Sequence, residues 1–325
     1  TTEIYTLSLH DALPIFADLI TQMGAIPTWS CTPHYHMNIP RFGQDVAWAE
    51  SSAVASINSV IGARTNRMSA YVDLCAALAG CVPRFGLHVK ENRKGQILIK
   101  IAKEVAENFR PEYYAVLGYY LGQVSEDRIP VVEGLPGASF DQLKALSAAS
   151  ASSGAIALYH LIGITPEART KEEAFQESKP IDILVFGKKE VEQILSSMRT
   201  YSGSEVDCVA IGCPHASVTE LGLYASLLEG KKVSKNTKLF ISTSRINEFT
   251  ARQMGYIGKL EEAGAIMVVD TCINNPPLSV WGFKSLVTDS GKFTYYTPTT
   301  VGSKCYFTDT ESCIKIAISG RIEKE

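Results

Sequence analysis

From Gly24 onward, short runs rich in Val and Ile alternate with longer segments of helical period, and this alternation constrains the fold more than any other feature. The apolar runs cover 25–29, 181–186, 206–211, 238–242 and 265–269, each too short for a stable helix. Between them the spacing predicts helices over 188–198, 217–228 and 245–263, the last broken near Gly255. Strands separated by helices at this interval pair in parallel and bury both faces. The expected class is therefore α/β, mostly parallel sheets with helices on both faces. The middle of the chain is less regular: helices are expected over 51–61, 69–78, 113–122 and 141–151, and strands over 96–102 and 155–162. A charged, turn-prone stretch at 167–180 reads as a linker, dividing an N-terminal α/β part (16–166) from a C-terminal α/β domain (167–325). The first fifteen residues, TTEIYTLSLHDALPI, resemble a translated sequencing adapter and are set aside as non-native, which implies native sequence upstream of Phe16.

Charge and composition exclude several classes of function. In 325 residues, 31 Lys and Arg face 34 Asp and Glu, a formal charge of -3, so no basic excess exists to displace counterions from nucleic acid or an anionic membrane. The stretch 145–166, free of Lys, Arg, Asp and Glu, contains Ser147, Ser150, Ser152, Ser153 and His160, and no membrane span is expected. Eight cysteines in a chain of this length, with no secretory leader at its start, are expected to be reduced thiols in cytoplasm rather than a disulfide framework.

Three of those cysteines follow apolar runs: Cys31, Cys213 and Cys272. Ligands of open α/β sheets gather beyond the carboxyl ends of strands, so these thiols are candidates to converge; each alone also reads as a small buried filler. Prolines at 33 and 214 stiffen two of the loops. Cys75, Cys208 and Cys313 read as core residues, while Cys81 and Cys305 are undecided. No CxxC pair occurs; Cys31, His34, His36 and His215 form an alternative donor set for zinc, which would make the chain a zinc hydrolase. Motifs for a P-loop, a dinucleotide fold and a nucleophile elbow are absent.

Three polar groups accompany the thiols. Glu50-Ser51-Ser52, followed by Asn58, opens a predicted helix and reads either as a cap or as an acid–base group with hydroxyls for substrate oxygens. Arg64, Asn66 and Arg67 read either as a solvated turn or as a clamp for a carboxylate or phosphate. Thr288-Asp289-Ser290-Gly291-Lys292, placed before a predicted strand over 293–296, offers Ser290 and the charge of Lys292 to an anion, or is a plain hairpin turn.

Taken together, TPHYHMNIPRFGQDVAWAESSAVASINSVIGARTNR, LHVKENRKG, ALYHLIGITPEA, IGCPHAS, VVDTCINN and the DSGK turn resemble the large subunit of the aconitase X family, over nearly everything from Gly24 to the C-terminus. The resemblance implies an aconitase-like fold and an iron–sulfur hydro-lyase that dehydrates a small hydroxy acid. The substrate would be of the phosphomevalonate type or, alternatively, cis-3-hydroxy-L-proline. It also implies a separate small swivelling subunit as partner. Cys31, Cys213 and Cys272 would be the cluster ligands, three thiolates to a 4Fe-4S group with one iron left open. Glu50, Ser51 and Lys292 match substrate-contacting positions; Glu50 and Ser51 are the expected catalytic pair, and Ser52, Arg64, Asn66, Arg67 and Ser290 complete the expected substrate site. Family members carry further substrate-binding loops upstream of Phe16, so this chain alone is expected to be inactive. A non-catalytic scaffold that docks a partner is the reading from a different class.

Overall fold

The computed structural model describes residues 9–36, 38–274, 278 and 282–323. Two sheets organise these residues. The first has four parallel strands in the order β3-β2-β1-β4: β1 (Ile97–Ile101), β2 (Pro130–Glu133), β3 (His160–Leu161) and β4 (Asp182–Phe186). The second has five in the order β7-β6-β5-β8-β9: β5 (Cys208–Ala216), β6 (Lys238–Thr243), β7 (Ala265–Val269), β8 (Ser285–Thr288) and β9 (Lys304–Phe307), again all parallel.

Period-two alternation fills an interior on each side of both sheets. In β5, Val209 and Ile211 join a core with Leu221, Tyr224, Leu260 and Ile314 from the covering helices, while Cys208 and Ala210 join an opposite core with Phe240, Leu286 and Phe293. In β1, Ile97, Ile99 and Ile101 pack with Val116, Leu117 and Leu146, whereas Leu98 meets Val131 and Phe175 on the reverse face. The α/β expectation holds.

Most predicted elements fall where the spacing puts them. Lys188–Met198 is helical, the helix Val218–Leu228 is capped by Ser217, and the predicted break near Gly255 separates Arg245–Gln253 from Tyr256–Ala263. Several expectations are corrected. Residues 25–30 form no strand, so Cys31 stands in a loop before the short 3-10 turn Pro33–Tyr35 rather than at a strand end. The run 155–162 contributes only His160–Leu161, because the Tyr159 N–H is taken by the Ser59 hydroxyl at 2.9 Å instead of by a neighbouring strand. Residues 293–296 are helical, not strand: Ser290 accepts from the Phe293 N–H at 3.1 Å and starts the helix Gly291–Thr300. The expected linker carries the helix Lys171–Phe175 with Phe175 fully buried, and β4 then pairs with β1, so 167–180 does not divide the two sheets. Among the thiols, Cys208, Cys305 and Cys313 are buried, whereas Cys75 is exposed on the helix Ala70–Ala79, which carries no buried residue. The helix Leu9–Gln22 runs through residue 15, the end of the segment set aside as non-native.

Candidate active site

Glu50 is the hinge of the site. It caps the helix Ser51–Ser56, accepting from the Ala53 N–H at 2.7 Å and from the Ser52 hydroxyl at 2.6 Å. The other carboxylate oxygen takes Lys292, whose Nζ also donates to Ser51 Oγ at 3.3 Å. One carboxylate oxygen thus caps the helix while the other pairs with Lys292. Lys292 reaches it because Ser290 starts a helix at Gly291 and thereby aims the second helical residue back across the molecule. Burial pushes the Glu50 carboxyl up, but the Lys292 ammonium and the donors from Ser52 and Ala53 outweigh it and hold the group below its ordinary value. Burial works against the Lys292 charge as well, yet Glu50 and the Cys213 and Cys31 sulfurs raise its pKa overall.

The thiols lie in the same electrostatic neighbourhood. Burial is the main cause raising Cys31, with Glu50, Cys213 and Cys272 adding to the rise and Lys292 opposing it. Burial pushes Cys213 up to about 12, against the pull of Lys292 and a hydrogen bond with Ser290. Cys31 and Cys213 are partly buried and Cys272 is exposed. Cys213 is delivered by an irregularity in β5: register with β6 shifts between Ile211 and Ala216, and Gly212 adopts φ +84°. A β-carbon on Gly212 would sit 2.3 Å from the Ser242 carbonyl oxygen, so both conformation and space demand glycine. Gly212→Ala is expected to cost about 2–3 kcal/mol, read as a lower urea midpoint at unchanged slope.

His34 lies on the turn that follows Cys31, only 3% exposed, with ring contacts to Tyr35, Trp48 and Phe140. Neither of its nitrogens has a hydrogen-bond partner among the described residues, and burial lowers its pKa to about 4, so the ring is neutral near pH 7. A depressed histidine contributes stability that is complete above its unfolded value of about 6.5. That contribution is lost as pH falls from there toward 4, on the order of 3 kcal/mol. Urea midpoints at pH 7 and 4.5 test this: His34→Phe should show a smaller drop than the parent, and equal drops would refute the assignment.

Other predicted residues have different employment. Asn58 is fully buried and spends its amide on the Thr65 and Ala157 carbonyls, both at 2.9 Å. Asn66 is buried, accepting from the Leu87 N–H at 2.7 Å and donating to the Phe85 carbonyl at 3.1 Å, which fastens the 85–87 turn. Arg64 and Arg67 lie at isolated bridges to Asp45 and Trp48, and the buried Arg64 Nε has no hydrogen-bond partner among the described residues. Arg67 is exposed, and no hydrogen bond or ion pair joins either arginine to Glu50, Ser51 or Lys292 among the described residues. The zinc alternative loses His215, both of whose nitrogens are engaged by the backbone of Cys31 and Thr271. Among the described residues no group of three His, Cys, Asp or Glu side chains is drawn tightly enough to hold a single metal ion. Sequence reading missed a buried ion cluster behind the site, in which Lys144 binds Glu220 and donates to the His215 carbonyl at 3.3 Å. Its trace in the sequence is a lone lysine within the small, apolar run of Phe140–Gly154.

Sequence profiles of the aconitase X first, second and third domains match residues 7–91, 95–196 and 206–319. The chain belongs to the aconitase X family. The first-domain match begins within the fifteen residues set aside from the sequence. Among aconitase X relatives, the phosphomevalonate dehydratase large subunit of Methanocaldococcus jannaschii is 39% identical over 88% of this chain and 70% of its own length. The cis-3-hydroxy-L-proline dehydratase of Pseudomonas aeruginosa is 34% identical over 97% of this chain, which spans only 54% of that protein. The crystal structure of Thermococcus kodakaraensis aconitase X in its holo-form superposes with a TM-score of 0.84 at 35% identity, covering 92% of this chain and 75% of that one. The aconitase-like fold expected from the sequence is thereby established.

The donor chemistry suits an iron–sulfur group. Cys31, Cys213 and Cys272 are soft sulfur donors within one electrostatic field, and thiolates formed there would repel one another unless a cationic centre stood among them. A polynuclear cluster engages its thiolates through different irons and so needs a wider spacing than a single ion.

Proposed function

We propose that this chain is the large, catalytic subunit of an iron–sulfur hydro-lyase that dehydrates a small hydroxy acid, of the phosphomevalonate dehydratase type, working with a small swivelling subunit. The observation that carries the reading is the partly buried Glu50–Lys292 pair beside Ser51, sharing its field with Cys31 and Cys213. The relatives support it: several phosphomevalonate dehydratases are large subunits, at 35–39% identity in Methanocaldococcus jannaschii and Thermococcus kodakarensis. Cis-3-hydroxy-L-proline is the alternative substrate.

Cys31, Cys213 and Cys272 would hold the cluster, with 4Fe-4S favoured because three ligands leave one iron open. When bound, the group supplies a Lewis-acidic iron that polarises the substrate's hydroxyl. Lys292, kept cationic by its neighbours, balances the substrate carboxylate, and Ser51 orients the ammonium. Glu50 is deprotonated in the free site and accepts the proton from the carbon adjacent to the hydroxyl. The two roles are coupled. A substrate carboxylate competes with Glu50 for Lys292, and as the ammonium turns toward it, burial raises the Glu50 pKa and makes that carboxylate the stronger base.

A cytoplasmic location agrees with eight free cysteines, and no described helix is long and apolar enough to cross a membrane. The test is anaerobic reconstitution of this chain, joined to the upstream substrate-binding loops that the resemblance implies, with iron, sulfide and the small subunit, followed by assay of phosphomevalonate and cis-3-hydroxy-L-proline. A brown protein that dehydrates the first substrate is expected. Turnover of the second alone would reassign the substrate, and no iron uptake would remove the mechanism in favour of a non-catalytic scaffold.

A further inference from the structure

One imidazole touches the chain at each of the three cysteine loops. His215 lies two residues beyond Cys213 on the irregular end of β5. Its Nδ1 accepts the Cys31 N–H at 3.4 Å, across 184 residues of sequence, and its Nε2 donates to the Thr271 carbonyl at 3.1 Å, immediately before Cys272. A backbone N–H can only donate, so Nδ1 must be bare and the proton must reside on Nε2, the form that donates to Thr271. Both bonds therefore demand one and the same neutral tautomer. The ring is only 3% exposed, and the Thr271 oxygen also lies 3.5 Å from the Ser242 hydroxyl. The His215 carbonyl receives Lys144 at 3.3 Å, so the main chain is fixed from behind.

We infer that His215 is a positioning residue that fixes the Cys31 and Cys272 loops against the Cys213 strand and so sets the separation of the three sulfurs. It is not a ligand, because both of its nitrogens are spent on backbone. This inference rests on the reading of the three cysteines as common donors. Groups that orient ligands from behind commonly govern how well a metal group is held.

The two bonds can be separated by isosteres. Asn offers an oxygen near the Nδ1 position and keeps the acceptor for Cys31; Gln offers an amide nitrogen near the Nε2 position and keeps the donor for Thr271. The experiment is alkylation of the full chain with iodoacetamide before any reconstitution, each cysteine being quantified by peptide mass spectrometry. In His215→Ala, Cys31 should react about tenfold faster, as expected when one buried hydrogen bond is lost. Cys208, Cys305 and Cys313 should stay protected, reporting an intact fold. His215→Asn should return Cys31 to the parent rate and His215→Gln should not. An unchanged Cys31 rate in His215→Ala with protected core thiols would overturn the inference, as would equal Cys31 rates in the Asn and Gln variants, which also decide the matter if the Ala variant unfolds. Iron bound per chain is then measured after anaerobic reconstitution. Parent protein that takes up no iron while the labelling pattern holds would sink the cluster reading and leave the role of His215 intact.

Discussion

Replacing Arg93 by Met should lower the free energy of unfolding by about 3–5 kcal/mol, the usual consequence of breaking a buried charged network from one side. Arg93 is 1% exposed, and its guanidinium is fully committed. Nε donates to both oxygens of Glu167 at 3.0 and 2.8 Å. One terminal nitrogen reaches Glu167 and the Asn58 carbonyl, the other the Asn58 side-chain oxygen and the Leu87 carbonyl at 3.1 Å. Removal would take the guanidinium from a carboxylate and from the Asn58 and Leu87 carbonyls, leaving the Asn58 side-chain oxygen with the Thr65 N–H. It would also loosen Asn58, which ties the turn at Thr65 to the backbone at Ala157. Lys cannot substitute, because its single ammonium cannot fork toward Glu167 and Asn58 together. Urea unfolding of Arg93→Met, Arg93→Lys and Arg93→Met/Glu167→Leu checks this. The double variant should recover part of the loss, since the uncompensated carboxylate is gone, and a single-variant loss below about 1 kcal/mol would contradict the network's role.

Glu50→Gln should reduce turnover of the reconstituted complex by about 10²–10³-fold, and Lys292→Met by at least as much. Gln keeps an oxygen for the Ala53 N–H and leaves the helix Ser51–Ser56 capped, so thermal stability and cluster absorbance should hardly change. What it loses is the negative charge that accepts a proton and anchors Lys292. Lys292→Met should raise KM as well as lower kcat, because the ammonium meets substrate before and during reaction. A Gln variant retaining more than a tenth of parental activity would exclude Glu50 as the base.

The alternation of strand and helix was legible from 181 onward, where the runs of β5 and β6 are buried on both faces, the edge run of β4 exposes Ile183 and Val185, and the helices after β4, β5 and β6 open on Gly187, Ser217 and Ser244. It failed where tertiary contacts overrode local preference. Residues 25–29 have strand composition but no strand beside them, and the Tyr159 N–H is claimed by Ser59. The DSGK turn misled because Ser290 serves a helix start as readily as a hairpin. Cys31, Cys213 and Lys292 could be singled out as candidates, but the meeting of Lys292 with Glu50 across 242 residues could not, since no local pattern encodes it. Asn66 reads like an anion-binding asparagine from its neighbours Arg64 and Arg67, yet the turn at 85–87 claims it, and nothing in the sequence near position 66 announces that turn.

Strand β5 serves two interiors at once, sending Val209 and Ile211 one way and Cys208 and Ala210 the other before it presents Cys213. A strand of this kind tolerates substitution but not a change of length. One residue gained or lost between 208 and 213 would exchange the side chains that β5 sends into the two cores and turn the thiol away from its companions. Across descendants of this sequence, insertions and deletions should therefore collect in the outer connections, such as the turn at 230–236, and avoid this stretch. Its length is expected to hold even where its letters drift.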